Sequence, residues 1–145
     1  MTSTAKPQLP PFPGGLPRTQ ADWQELLNVT QGWKGAIEAK KWIAPTLLNG
    51  WTQYTDVNGP WSPPGYLLDV AGTVHLRGMM AGGTINTAFF QLPGGYRPRY
   101  RQLMTALSST GIYRIDVTTD GFVLPTGQTA NTWASIDGLS FSTLI

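Results

Sequence analysis

One histidine, eight acidic side chains and no cysteine bound the chemistry open to this 145-residue chain. Without cysteine there is neither a disulfide framework nor a thiolate metal site. His75 cannot build a multi-histidine metal cluster within one chain, and no HExxH pair exists. It falls at an outward strand position beside Arg77 and reads as a surface or interface histidine; copies meeting on a symmetry axis are the minor alternative. A GxSxG nucleophile elbow is absent. Asp56 in "TDVNGP", Asp120 in "TTDG" and Asp137 in "SIDG" stand where carboxylates bond their own turn backbone, which accounts for them without catalysis. "DVNG" starts like a calcium loop, but Pro60 and Trp61 follow and the distal glutamate is missing. "AGGT" and "LPGG" lack the lysine and the strand–helix context of a phosphate loop. The expectation is a protein that is no enzyme and carries no cofactor or metal. A glycan-active enzyme or lysin is the competing class, and it would need two close carboxylates in a cleft.

Aromatic and basic side chains offer binding instead. Trp51, Tyr54, Trp61 and Tyr66 cluster in "GWTQYTDVNGPWSPPGYL". Aromatic faces take up the C–H surfaces of sugars when Asp, Asn or Arg stands nearby. Trp51, Tyr54, Trp61 and Arg99 are therefore the candidates for glycan contact; the plainer reading is that the rings pin an irregular connection to the core. In "LPGGYRPRYRQL", Arg97, Arg99 and Arg101 alternate with Tyr96, Pro98 and Tyr100. A regular strand would put the three arginines on one face, suited to neighbour contacts or an anionic wall polymer. Such interleaving also serves nucleic acid. A net charge of +2, a pI of 9.1 and only 12% charged residues weigh against that partner.

The elements that would position these residues follow from period and punctuation. Residues 1–18 form a Pro-rich arm, extended by "KPQLPPFPGGLP", with Leu9, Phe12 and Leu16 as anchors on a neighbouring protein. Residues 19–42 predict a helical stem. Thr19 and Asp22 resemble a capping box, and Trp23, Leu26, Thr30, Trp33 and Ile37 recur at alternating spacings of four and three. That seam suggests self-association, although Gly32 and Gly35 each weaken a helix by roughly 1 kcal/mol. Over 44–145 the period becomes two. "GYLLDVAGTVHLRGMM" predicts a hairpin turning at Ala71-Gly72, with Val74 and Leu76 on one face and Thr73, His75 and Arg77 on the other. "GTINTAFFQL" offers a further strand. "GIYRIDVTTDGFVLP" predicts a hairpin with Tyr113, Ile115 and Val117 inward and Arg114, Asp116 and Thr118 outward. "NTWASIDGLSFSTLI" sets Ala134 and Ile136 against Trp133, Ser135 and Asp137. Short strands with regular turns predict a mainly β protein, an antiparallel β-sandwich or jelly-roll-like head. The N-terminus lacks the apolar stretch of a secretory signal, and no apolar run approaches the ~20 residues that span a bilayer, so no membrane insertion is expected.

From Leu47 onward, "LLNGWTQY", "SPPGYLLDVAGTVHLRGMMAGGT", "FQLPGGYRP" and "NTWASIDGLSF" occur in an order that resembles the C-terminal head domain of tailed-phage tail and fibre proteins, common among phages and prophages of actinobacteria. The combination D-x-x-G-x-V-H-L-R-G, L-P-x-G-Y-R-P and W-x-S-I-D-G-x-S-F carries the likeness, and each piece alone is weak. The resemblance implies a trimeric β-sandwich head displayed on the virion, facing host-surface glycan such as cell-wall polysaccharide. It also implies an arm docked on other virion proteins and synthesis in the host cytoplasm. Such heads usually end long tail proteins, whereas here a short arm and helix precede the head. That departure points to a small tail-tip, baseplate or fibre protein, with capsid decoration or a head fibre as the alternative.

Overall fold

The computed structural model describes residues 19–28 and 41–145, and the chain divides into two units, Met1–Ala39 and Lys40–Ile145. In the first unit residues 20–28 are helical, and the capping box forms as the sequence suggests. The Asp22 N–H donates to Thr19 Oγ1 at 3.1 Å, and the Thr19 N–H donates to Asp22 Oδ2 at 3.2 Å. Each side chain thus satisfies an N–H that the helix start leaves without a partner. Trp23 and Leu27 are half exposed, and Leu26 is partly buried. Thr30, Trp33 and Ile37 of the predicted stem, and Leu9, Phe12 and Leu16 of the predicted arm, lie outside the described residues.

The second unit is built from ten strands: β1 (Thr52–Gln53), β2 (Gly65–Leu68), β3 (Thr73–Arg77), β4 (Met79–Ala81), β5 (Phe90–Gln91), β6 (Gln102–Ser108), β7 (Gly111–Val117), β8 (Phe122–Thr126), β9 (Ala134–Ser135) and β10 (Ser140–Ser142). They form a seven-stranded sheet in the order β1-β4-β9-β6-β7-β8-β5 and a three-stranded sheet in the order β10-β3-β2. Every strand pairing is antiparallel. The mainly β antiparallel architecture is thus the one the strand periods predict.

The core lies between the two sheets. Tyr66, Val74, Leu76 and Phe141 come from the smaller sheet; Met80, Phe90, Tyr113, Ile115, Val117, Val123 and Ala134 from the larger, with Phe89 and Leu92 beside them. Each fully buried aliphatic or aromatic side chain contributes about 1.5–3 kcal/mol to folding. The two predicted hairpins form with the expected inward faces. Gly65 to Leu68 pair with Arg77 to Val74, and Arg114 to Val117 pair with Thr126 to Val123. By contrast "GTINTAFFQL" supplies only Phe90–Gln91 as strand. Polar bonds occupy the rest: Asn86 brackets Gln128, whose N–H donates to Asn86 Oδ1 at 2.9 Å.

Between β3 and β4 the chain leaves one sheet for the other, and Gly78 is the joint. Its φ of 126° is a conformation L side chains rarely adopt, and a Cβ there would run into the Pro64 backbone. The Gly78 N–H donates to Asp137 Oδ1 at 2.8 Å, and its carbonyl accepts from Ile136 N–H at 2.9 Å. "HLRG" and "SIDG", far apart in sequence, therefore meet at one crossing point.

Two sequence expectations are corrected here. Asp116 lies on the outward face of β7, yet none of its side chain reaches solvent. Arg114 Nε donates to its Oδ1 at 2.6 Å and Arg101 Nε to its Oδ2 at 3.0 Å, so two guanidinium groups roof it over. Burial pushes its carboxyl up, but those hydrogen bonds and charges outweigh burial and hold it below the usual range. Nor do Arg97, Arg99 and Arg101 form a row. The strand begins only at Gln102, and Arg97 folds back to donate from Nε to the Leu92 carbonyl at 2.8 Å. The turn that starts at "LPGG" consumes the residues that would have been strand.

Candidate functional site

The irregular connection between β1 and β2, residues 54–64, is pinned near both ends on a single residue of β4. Tyr54 N–H donates to the Met79 carbonyl at 2.8 Å, and Met79 N–H donates to the Ser62 carbonyl at 3.1 Å. Between those pins Asp56 organises the loop. Its Oδ1 accepts from Trp61 Nε1 at 2.6 Å, Asn58 N–H at 2.8 Å and Gly59 N–H at 3.1 Å. Its Oδ2 accepts from the Tyr54 hydroxyl at 2.8 Å. The turn bonding expected of "TDVNG" is present. The same carboxylate also ties down two aromatic rings, which the turn reading missed. The available signal was Tyr54, Asp56 and Trp61 in the one Pro- and Gly-rich segment.

Electrostatics follow from that geometry. The indole N–H of Trp61 is the largest influence on Asp56, and with the Tyr54 hydroxyl and the Asn58 donors it lowers the carboxyl to about 2. In return the carboxylate raises the Tyr54 phenol above its ordinary value, chiefly through their hydrogen bond. Asp56 is therefore ionised and already occupied by donors at neutral pH, which suits an organising acceptor better than a proton donor.

The rings of Tyr54 and Trp61 lie 6.1 Å apart, inclined by 51°. Trp61 is 37% exposed, and with Gln53, Thr55, Asp56, Gly59 and Pro60 it lines an open hollow of about 330 Å³. An exposed indole edged by an amide, a hydroxyl and a carboxylate offers one apolar face with polar atoms beside it, of which the Asp56 carboxylate is held in place. That combination is suited to a sugar ring, whose C–H face is apolar and whose hydroxyls need partners.

Of the four residues singled out for glycan contact, Trp61 lines the hollow, and Tyr54 is tied to it through the shared Asp56 carboxylate without lining the hollow itself. Trp51 takes no part: only 3% of it is exposed. The Asn49-Gly50 turn swings its ring inward, edge-on to Phe89 at 4.7 Å, and its indole N–H donates to the Thr87 carbonyl at 3.2 Å. It pins the connection to the core, as the plainer reading of these aromatics has it. Arg99 is exposed but does not line the hollow; its guanidinium lies 5.5 Å from the centre of the Tyr100 ring. His75 sits on the other sheet, where Nε2 meets Asp69 Oδ2 at 2.8 Å. Asp69 also accepts from Ala71 N–H and Thr73 N–H, and the His75 hydrogen bond leads these in lowering its carboxyl. Among the described residues no group of three or more His, Asp or Glu side chains is arranged to hold a metal ion.

The fold is similar to that of a solved phage protein. The crystal structure of the receptor binding protein (gp15) of Listeria phage PSA superposes with a TM-score of 0.69 at 17% identity, over 87% of this chain and 78% of that one. No protein-family model matches the chain, and neither does any curated protein. Packing and patterning can specify the same fold through different side chains, so likeness of fold at this identity is physically ordinary.

Proposed function

We propose that this chain is a structural protein of a phage tail, a small tail-tip, baseplate or fibre protein. In this reading its β head attaches the particle to host-surface glycan and it performs no catalysis. The observation that carries this reading is the Tyr54–Asp56–Trp61 platform, an exposed indole held rigid by a carboxylate, on a fold similar to that of a phage receptor binding protein. Sugar binding gains from such rigidity, because ordering a loop on binding subtracts from affinity. The Pro-rich arm docks on a neighbouring virion protein, and the assembled particle carries the head to the cell surface.

The same head assembles as a homotrimer in this reading, and the outer face of β6 and β7 supports it. Strand β6 runs opposite to the usual pattern. Ala106 and Ser108 point inward, while Leu103, Thr105 and Leu107 point out. Ala106 is small where Tyr113, directly opposite, fills the space and donates its hydroxyl to the Ser135 carbonyl at 2.9 Å. Leu107 therefore stands exposed directly across from Ile112, which is 74% exposed. In this reading a partner subunit covers Leu107 and Ile112.

Immunogold labelling of purified particles tests the station. Gold at the tail end agrees with the proposal. Gold distributed over the capsid would replace it with a decoration or head-fibre role.

A further inference from the structure

The three-stranded sheet carries a second feature that shares no residue with the Tyr54–Trp61 platform. Gly65 of β2 stands directly across from Arg77 of β3. Because Gly65 has no Cβ, the Arg77 side chain can lie across β2: a Cβ there would come within 3.1 Å of Arg77 Nε and 3.4 Å of the Trp42 ring. The guanidinium comes to rest 4.5 Å from the centre of the Trp42 indole. Its Nε is sealed from solvent and meets no acceptor. Stacking on the indole and sealing at Nε together fix the orientation of the whole planar group.

No carboxylate answers this charge among the described residues. Asp69 is bonded to His75 and to its own turn, while Asp137 accepts from Gly78 N–H and Ser135 Oγ. Elsewhere on the head Arg101 and Arg114 share Asp116, Arg97 donates to a carbonyl, and Arg99, also without a carboxylate, lies exposed 5.5 Å from the Tyr100 ring centre. Arg77 thus keeps its terminal N–H groups for something outside the fold. Around it Trp42, Leu67, His75, Gly138 and Leu139 line an open hollow of about 320 Å³, mostly apolar in its walls. A half-buried cation whose orientation is set in advance, above an apolar floor, is arranged for an oxyanion carried on a body with C–H surface.

We infer that the Trp42–Arg77 hollow is a binding site for an acidic saccharide or polyol unit, its carboxylate or phosphate seated on the Arg77 guanidinium. Leu67 and Leu139 take the C–H surface. The two oxyanions have different sources: a carboxylate belongs to a uronic acid residue and a phosphate to a polyol-phosphate chain.

Titration of the full-length chain, followed through the Arg77 Nε–H and Gly65 amide resonances, tests this directly. The probes are a glucuronate-containing oligosaccharide, a glycerol-phosphate oligomer and a neutral oligosaccharide of equal length. Saturable shifts at both resonances with either acidic probe, and none with the neutral one, are expected; which acidic probe binds names the source. Arg77→Gln should weaken binding at least tenfold. Gly65→Val, which keeps the arginine but pushes it off Trp42, should do the same with an unchanged circular dichroism spectrum. Trp61→Ala should leave acidic-probe binding intact, so failure of the platform and failure of this site are told apart. Equal shifts with the neutral probe, no shift with any probe, or unchanged affinity in Arg77→Gln would overturn the assignment.

Discussion

At the scale of single residues, Asp56 decides the shape of the platform and Asp116 the integrity of the large sheet. With its folded value lowered to about 2, the Asp56 carboxylate contributes to loop stability fully above the ordinary aspartate range. That contribution fades as pH falls from the ordinary aspartate range toward about 2 and is gone below it. The Trp61 indole N–H resonance should therefore hold its position from pH 7 to below pH 4 and then move with a midpoint near 2; a midpoint near 4 would mean that the Trp61–Asp56 bond does not form in solution. Asp116 presents the opposite balance, a fully buried carboxylate under two arginines that are each half exposed. Asp116→Ala leaves both guanidinium groups without their acceptor, and solvent relieves part of that loss. A destabilisation of about 1–3 kcal/mol in urea unfolding is expected. Asp116→Leu should cost less, since apolar replacement removes the desolvation penalty along with the charge. Burial of Asp116 was not legible in the sequence, because alternation assigns a face and says nothing about long side chains folding over it.

At the scale of elements, hairpins were legible and irregular segments were not. Val74 and Leu76, and Tyr113, Ile115 and Val117, occupy the inward faces their period of two predicts. The capping box at Thr19 and Asp22 forms for the same reason, since both are local rules. Segments 54–64 and 92–101 obey no period. Their shape rests on partners distant in sequence, Met79 for the first and Gly121 for the second, whose carbonyl accepts from Leu92 N–H. The same dependence hid the pairing of Trp42 with Arg77, since Trp42 closes the segment 19–42 that was read as the stem. Gly78 joins the two sheets, so its replacement acts on both. Gly78→Ala combines an unfavourable φ with a clash against Pro64, and a loss of roughly 2–4 kcal/mol is expected. Thermal unfolding checks this: a melting temperature within a degree or two of the parent would show that the crossing tolerates a side chain.

At the scale of the whole molecule, the proposal gives the outer face of β6 and β7 and the Tyr54–Trp61 platform separate roles, one toward other copies and one toward the host. Ile112→Glu places a charge on the face proposed to be covered, so light scattering should report a trimer for the parent and a smaller species for the variant. A parent that runs as a monomer at micromolar concentration would remove the trimer from the account. Adsorption is the central claim, and binding of the purified chain to a panel of isolated bacterial cell walls tests it most directly. Saturable binding to at least one wall is predicted, reduced at least tenfold by Trp61→Ala with folding intact, and with no soluble sugar released. No binding to any wall by a correctly folded chain would contradict adsorption, and binding that Trp61→Ala leaves unchanged would contradict the platform's part in it.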